Sequence, residues 1–212
     1  MATNIIHALA RGLPLDVPSS TGIPAVQGRA EREIALWKGV SEQSTEALPH
    51  LRRYWQTVGL RDSEWSPTGT PWSAAFISEI MKPYGLPPSS AHFQYATAVK
   101  EGTASGWTAY ALDGRPVQLA PGDILVKPRG SGKPSEDPYW WSHGDLIYSV
   151  GETAKWVGGN VGDTVQTGSF PISPSGADVD GAYVMLLRPA EKKSVVPLLL
   201  IVAGVAFFAV RK

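Results

Sequence analysis

Hydrophobic residues recur at helical spacing in four segments of the first half of the chain. Residues 26–40, 45–58, 71–81 and 90–100 each place an apolar stripe on one face, which predicts four helices. After residue 102 the apolar runs are short and separated by Gly and Pro, as in β-strands. We predict strands at residues 119–127, 141–150, 155–158, 163–167 and 182–188. Helices followed by an antiparallel sheet indicate an α+β domain.

The two ends of the chain depart from this pattern. Residues 1–25 mix Pro, Gly and Ser after a short apolar start, which predicts a mobile N-terminal arm. Residues 195–210 are uncharged and almost wholly apolar, with basic residues on both sides. We predict that residues 195–212 form a transmembrane anchor with a basic end, joined to a domain at 26–188 by a linker at 189–194. The alternative is a helix buried in the core.

The amino-acid composition excludes several kinds of site and gives no support to others. Lys and Arg together number 19, as do Asp and Glu, so no overall charge favours nucleic acid and we predict no nucleic-acid partner. Cysteine is absent, which excludes disulfides, thiolate metal sites and a cysteine nucleophile. His92, His143, Asp145 and Asp123 could be considered as metal ligands, but no metal-binding spacing supports them. We therefore predict neither a metal nor a cofactor.

Ser73 is the candidate nucleophile. It lies in the first turn of the third predicted helix, where unpaired N–H groups and the helix dipole favour a developing negative charge. The alternative is a serine that caps a buried helix. A serine nucleophile needs a base, and His143 suits this role because it begins a predicted strand beside a glycine. His92 is the other histidine considered, and we expect it to be a helix residue bonded to backbone.

Five motifs occur in order along the chain: PWSAAFIS, SSAHFQYA, LAPGDIL, WSHGDLIYSV and VGGNVGDTV. Together they resemble an uncharacterised bacterial and phage domain family, which in turn looks like a relative of the CHAP and NlpC-type papain-like cell-wall hydrolases. The resemblance covers about residues 26–188. It implies a papain-like packing of helices on an antiparallel sheet, with the nucleophile at a helix N-terminus and the catalytic histidine at the start of a strand.

Carried over to this chain, the resemblance places the nucleophile at Ser73, where those enzymes have cysteine, and the general base at His143. The residue that orients the histidine falls on Asn160, which could instead belong only to a tight turn. Asp145 is the alternative orienter, because it shares a strand face with His143, and it could also bind a cation.

Substrate-binding candidates come from the aromatic residues. Tryptophan faces pack well against sugar rings, and large aromatic side chains also dominate small protein cores. Trp72 and Trp141 lie within the motifs, and with His92 they are the residues that we predict to contact substrate.

These residues together predict a membrane-anchored amidase or endopeptidase that acts on peptidoglycan, in a bacterial envelope or a phage virion membrane. The alternative is a non-catalytic peptidoglycan-binding or structural module of the same envelope or virion. A cysteine is readily held as a thiolate, whereas a serine must lose its proton during attack. Ser73 therefore indicates either a serine variant of the hydrolase site or a domain that binds without cleaving.

Overall fold

The computed structural model describes residues 12–129 and 142–190, which form a mixed helix-and-sheet fold. Four α-helices lie in the first half of this part of the chain: α1 (Ala25–Leu36), α2 (Leu48–Thr57), α3 (Ser73–Met81) and α4 (His92–Lys100). Seven strands follow: β1 (Trp107–Ala111), β2 (Ile124–Pro128), β3 (Ser142–Val150), β4 (Thr153–Gly158), β5 (Gln166–Ser173), β6 (Gly176–Ala177) and β7 (Met185–Pro189).

The helices begin and end where local chemistry changes. The helix predicted at residues 26–40 ends at Leu36, because Trp37 leaves the helical conformation and Gly39 has a φ of 76°. Helix α2 carries Pro49 in its first turn, where a missing N–H is tolerated. Helix α3 ends at Met81, just before Pro83. The four predicted helices are therefore present, with shorter boundaries.

The strands form one antiparallel sheet in the order β1-β7-β2-β3-β4-β5-β6, which curls into a half-barrel. Strand β1 follows α4 directly and pairs with β7. No strand was predicted at residues 107–111, so the sheet has more strands than the sequence indicated. The strand predicted at 163–167 is displaced to β5, because Asn160 and Asp163 both have positive φ and prolong the turn after β4. Strand β3 pairs with β2 so that His143 lies opposite Lys127.

Both faces of the central strands are buried, which explains the apolar runs ILV in β2 and MLL in β7. One face carries Ile124, Val126 and Leu146 and packs against the helices. The other face carries Leu125 and Ile147 and is covered by segments on both sides of these strands in the chain, including Val117 and Phe170. Helix α3 lies between α2 and β3, and every residue of α3 except Glu79 is buried. The start of α3 is consequently held at the junction between the helices and the sheet.

The segment before α1 lies along the sheet. The backbone N–H of Ala111 donates to Pro14 O at 2.9 Å, and that of Ile23 donates to Pro121 O at 2.7 Å. Arg188 on β7 forms a buried ion pair with Asp123 (Nη2 to Oδ2, 2.5 Å) and also donates to the carbonyl of Pro18. This arginine therefore joins the turn before β2 to the N-terminal segment.

The fold class and location predicted from the sequence need correction. No helix within residues 12–129 and 142–190 is long and apolar enough to cross a membrane, so the prediction of a membrane-anchored protein with a C-terminal transmembrane helix is wrong for the fold seen here. The apolar segment that prompted it, residues 195–210, lies outside the described part. The observed architecture is the curled antiparallel half-barrel with its layer of helices, rather than the predicted papain-like domain with an added anchor.

We expect Arg188→Ala to lower the free energy of unfolding by about 3–5 kcal/mol, because Asp123 would remain buried without its partner. Arg115→Ala is the matched control, since Arg115 pairs with Asp113 on the surface and such pairs contribute about 0–1 kcal/mol. Denaturant unfolding of both variants measures the difference. Equal losses in the two variants would contradict the structural role given to Arg188.

Candidate functional site

A cavity of about 440 Å³ lies where the starts of α3 and α4 meet the start of β3. Its apolar wall includes Trp55, Leu60, Ala74 and Phe93. Its polar wall includes Ser73, His92, Arg129 and Ser142. A concave apolar pocket with a few converging polar groups is typical of a ligand or active site.

Ser73 is the first residue of α3, and its side chain contacts a histidine. The Oγ atom lies 2.5 Å from Nε2 of His92, and both side chains are buried. The N-cap residue Trp72 makes no side-chain capping bond, so it leaves the N–H groups of the first turn of α3, which lack intrahelical acceptors, uncapped. The helix start thus combines a hydroxyl, a bonded imidazole and backbone donors.

His92 is held from its other side by Tyr95. The two residues are three apart on α4 and so lie on one helix face, and Nδ1 of His92 bonds to the hydroxyl of Tyr95. When Nδ1 carries the proton and donates to Tyr95, Nε2 is free to accept the proton of Ser73. Tyr95 thereby selects the orientation of the ring and can select the base-competent tautomer.

Burial determines the protonation state of His92. Burial, with the nearby charges of His143 and Arg129, holds the pKa of His92 well below its ordinary value, against the opposing effect of Asp145. The imidazole is accordingly neutral at neutral pH. A neutral imidazole bonded to a serine hydroxyl is the resting arrangement of a nucleophile and its general base.

His143 and Asp145 form a second pair beside the first. They lie two residues apart on β3, and Nε2 of His143 is 3.1 Å from Oδ1 of Asp145. Tyr183 donates to Oδ2 of Asp145 at 2.5 Å, and Nζ of Lys127 lies 3.5 Å from the same atom. Burial alone would raise the pKa of Asp145, but the His143 and Tyr183 hydrogen bonds and the Lys127 charge lower it overall. Asp145 is therefore an ionised carboxylate beneath the site.

The two pairs meet through their histidine rings. The ring centroids of His92 and His143 are 5.4 Å apart and the ring planes are inclined at 62°. The series of contacts therefore runs from Ser73 to His92, then to His143 and Asp145. The hydrogen-bond partner of Ser73 is His92, whereas the sequence assigned the base to His143; that assignment remains a prediction. Within residues 12–129 and 142–190 no three His, Cys, Asp or Glu side chains are grouped to hold a metal ion.

Asn160 lies on the turn after β4 and contacts the residue before Ser73. With its amide nitrogen facing Glu42, it donates to Oε2 at 3.1 Å, and its amide oxygen accepts from the backbone N–H of Trp72 at 3.3 Å. Glu42 also accepts from Nε1 of Trp72 at 2.7 Å. These contacts fix the N-cap of the helix that carries Ser73, and the orienting role that the sequence suggested for Asn160 stays a prediction.

The other substrate-binding candidates have different surroundings. Trp72 is fully buried and stacks on Trp37, with ring centroids 4.4 Å apart, so it belongs to the core. Trp141 lies outside the described residues. His92 lines the cavity, and its contact with substrate stays a prediction.

Sequence reasoning missed four polar partners of the site: Tyr95, Tyr183, Lys127 and Glu42. Only Tyr95 had a local signal, because it follows His92 at the i+3 spacing of one helix face. The remaining three reach the site from distant parts of the chain through sheet pairing and loop packing. Their roles depend on tertiary structure that spacing does not encode.

Two glycines permit the close packing of the site. A Cβ atom on Gly144 would lie 2.6 Å from the Tyr95 hydroxyl and 2.8 Å from Nδ1 of His92. A Cβ atom on Gly158 would lie 2.3 Å from Oδ1 of Asp145. The polar groups of the site therefore leave no room for a side chain at either of these two positions.

Residues 28–187 match the family model DUF2272, described as an uncharacterized protein conserved in bacteria, so the chain belongs to this family. No curated protein and no solved structure matches the chain. The family match supports the bacterial domain family that the motifs indicated. The comparisons lend no support to the finer relation to CHAP and NlpC-type enzymes, or to hydrolase activity on peptidoglycan.

We expect Gly144→Ala to lower the free energy of unfolding by about 1–3 kcal/mol, because the added methyl group displaces His92 and Tyr95. Gly151→Ala, in the turn between β3 and β4, is the matched control, since a Cβ atom there meets nothing within 4 Å. Denaturant unfolding compares the two variants. A stable Gly144→Ala protein would contradict the close packing of β3 on α4.

Stability should fall on acidification because of His92. Its folded pKa lies below the unfolded value of about 6.5, so the unfolded state binds the proton more readily. The contribution is complete above about pH 6.5 and is lost as pH falls toward the folded pKa, at up to about 1.4 kcal/mol per unit. Unfolding free energies from pH 7.5 to 5 should fall less steeply in His92→Asn than in wild type. An unchanged slope would contradict a buried neutral His92.

Proposed function

We propose that this member of the DUF2272 family is a serine-dependent amide hydrolase. The observation that carries the proposal is the 2.5 Å contact between Ser73 Oγ and Nε2 of His92, at the wall of the cavity and at the first residue of a helix. A nucleophile and base within hydrogen-bond reach, with the base held by a third group, is the general arrangement for covalent acyl transfer.

Ser73 attacks the carbonyl carbon of a bound amide while its proton passes to Nε2 of His92. The resulting imidazolium returns this proton to the departing amine, leaving an acyl group on Ser73. Water then attacks the ester through the same base and releases the acid. Tyr95 keeps the ring aligned through both steps by its bond to Nδ1.

The start of α3 supports the negative charge that develops on the carbonyl oxygen. The backbone N–H of Ala74 belongs to the first turn, where intrahelical acceptors are lacking, and Ala74 lines the cavity. Donors placed toward a developing oxyanion typically contribute about 3–4 kcal/mol of transition-state stabilisation each. This contribution matters more for serine than for cysteine, because the alkoxide is far more basic.

Asp145 stabilises the charged form of His92 during the reaction, whereas the charge of His143 opposes it. The ionised carboxylate of Asp145 opposes the burial that disfavours an imidazolium, and its charge raises the pKa of His92. His143 lies between them in ring contact with His92. We assign His92 as the base and Asp145 as its electrostatic support, with His143 as the residue that holds the Asp145 carboxylate in position.

Peptidoglycan is the proposed substrate because of the motif resemblance to CHAP and NlpC-type cell-wall hydrolases. The order of motifs along the chain places a serine where those enzymes carry their nucleophile. The cavity suits an extended peptide, since its wall is largely apolar with polar groups at the reacting end. The substrate would be an amide of the cell-wall peptide.

One observation favours the second candidate, a module that binds peptidoglycan without cleaving it. Ser73 and His92 are only 3% and 4% exposed, so a substrate carbonyl reaches Oγ only after a small displacement of the cavity wall. A binding module would need no such displacement. Activity measurements separate the two functions.

Purified peptidoglycan digested with the full chain tests the proposal. We expect wild type to release new peptide termini, identified by mass spectrometry, and Ser73→Ala and His92→Gln to reduce the rate at least 10³-fold, the order seen when a nucleophile or base is removed. His143→Gln should lose less, about 10- to 100-fold. His50→Gln is the control, because His50 is a partly exposed histidine away from the cavity.

Inactive wild type on several cell-wall types would reject the hydrolase and favour the binding module. A larger loss in His143→Gln than in His92→Gln would move the base to His143. Retained activity in Ser73→Ala would exclude the proposed nucleophile.

A further inference from the structure

Arg129 places a positive charge at the cavity that contains Ser73 and His92. It directly follows β2, whose last residue, Pro128, lies opposite Ser142 at the start of β3. Arg129 lines the cavity and is exposed, and it forms no ion pair within the described residues. Its charge is one of the causes that lower the pKa of His92, so the guanidinium acts close to the Ser73–His92 pair.

Two further hydrogen-bond donors in the cavity wall have no acceptor. The Ser142 hydroxyl and the indole N–H of Trp55 are buried and have no hydrogen-bond partner within residues 12–129 and 142–190. A buried polar group left without a partner costs roughly 1–3 kcal/mol. These positions therefore favour a ligand that brings acceptor atoms.

Asp145, the carboxylate whose charge acts on His92, is already engaged. Asp145 is bonded to His143 and Tyr183 and paired with Lys127, so it does not neutralise Arg129. The described residues of the cavity wall include a cation and unused donors but no carboxylate. Arginine binds carboxylates through two parallel hydrogen bonds, which suits it to select a planar anionic group.

We infer that the substrate is an acidic peptide whose carboxylate, next to the scissile amide, is bound by the Arg129 guanidinium with the Ser142 hydroxyl as a second donor. This inference rests on the proposed function, since Ser73 attacks the amide in the same cavity. Arg129 is then a specificity residue, and the apolar wall around Trp55 and Phe93 holds the neighbouring part of the peptide.

Matched peptides test the inference by binding, independently of turnover. Two tetrapeptide amides that differ only in Asp or Asn are titrated calorimetrically into full-length Ser73→Ala protein, which does not consume them. We expect the Asp peptide to bind about tenfold more tightly, an increment in the range of a charge-assisted hydrogen bond. Adding Arg129→Gln should bring the ratio close to one, and Arg129→Lys should retain part of it. Arg115→Gln is the control, because Arg115 is an exposed arginine that does not line this cavity.

Equal affinities for the two peptides, no binding of either, or a ratio unchanged by Arg129→Gln would overturn the inference. Turnover of the same peptides by protein with Ser73 intact separates it from the proposed function. A preference for Asp without any turnover rejects the hydrolase and keeps the carboxylate site. Turnover of both peptides with equal kcat/KM rejects the carboxylate site and keeps the hydrolase.

Discussion

The burial of a neutral imidazole between Ser73 and Tyr95 is the constraint on which the site depends. Both ring nitrogens of His92 are bonded, and the ring is pressed against β3 where only Gly144 allows its approach. A buried polar group is stable only when it is fully bonded, so each of these contacts requires the others. The helix starts of α3 and α4 are thereby fixed against the sheet at the place where the cavity opens.

The buried negative charge of Asp145, which lies beside His143, is compensated by the side chains around it. Asp145 is nearly inaccessible to solvent, and an isolated carboxylate there would be strongly destabilising. Tyr183, Lys127 and His143 surround it and keep it ionised. The negative charge of Asp145 is thus present at rest and supports the positive charge that forms on His92 during the reaction. This links the architecture of the sheet to the proposed catalysis.

The sequence was informative where the signal was local. Prolines and apolar spacing indicated α3 and the position of Ser73 at its start, and the i, i+2 spacing on β3 placed His143 and Asp145 on one face. It did not indicate contacts that depend on tertiary structure. Asn160 bonds to Glu42 and the backbone of Trp72 because the turn after β4 folds back on the helix start, and His92 reaches Ser73 because α4 packs across the cavity. The membrane anchor was inferred from hydropathy alone, without any tertiary constraint.

The most direct test of the account is whether Ser73 is a nucleophile activated by His92. Full-length protein treated with a fluorophosphonate is digested, and the modified residue and its rate of modification are measured by mass spectrometry. The account predicts an adduct on Ser73 that forms about 10²- to 10⁴-fold more slowly in His92→Gln, the usual contribution of a general base, and at the wild-type rate in His50→Gln. No adduct on Ser73, or an adduct formed equally fast without His92, would contradict it.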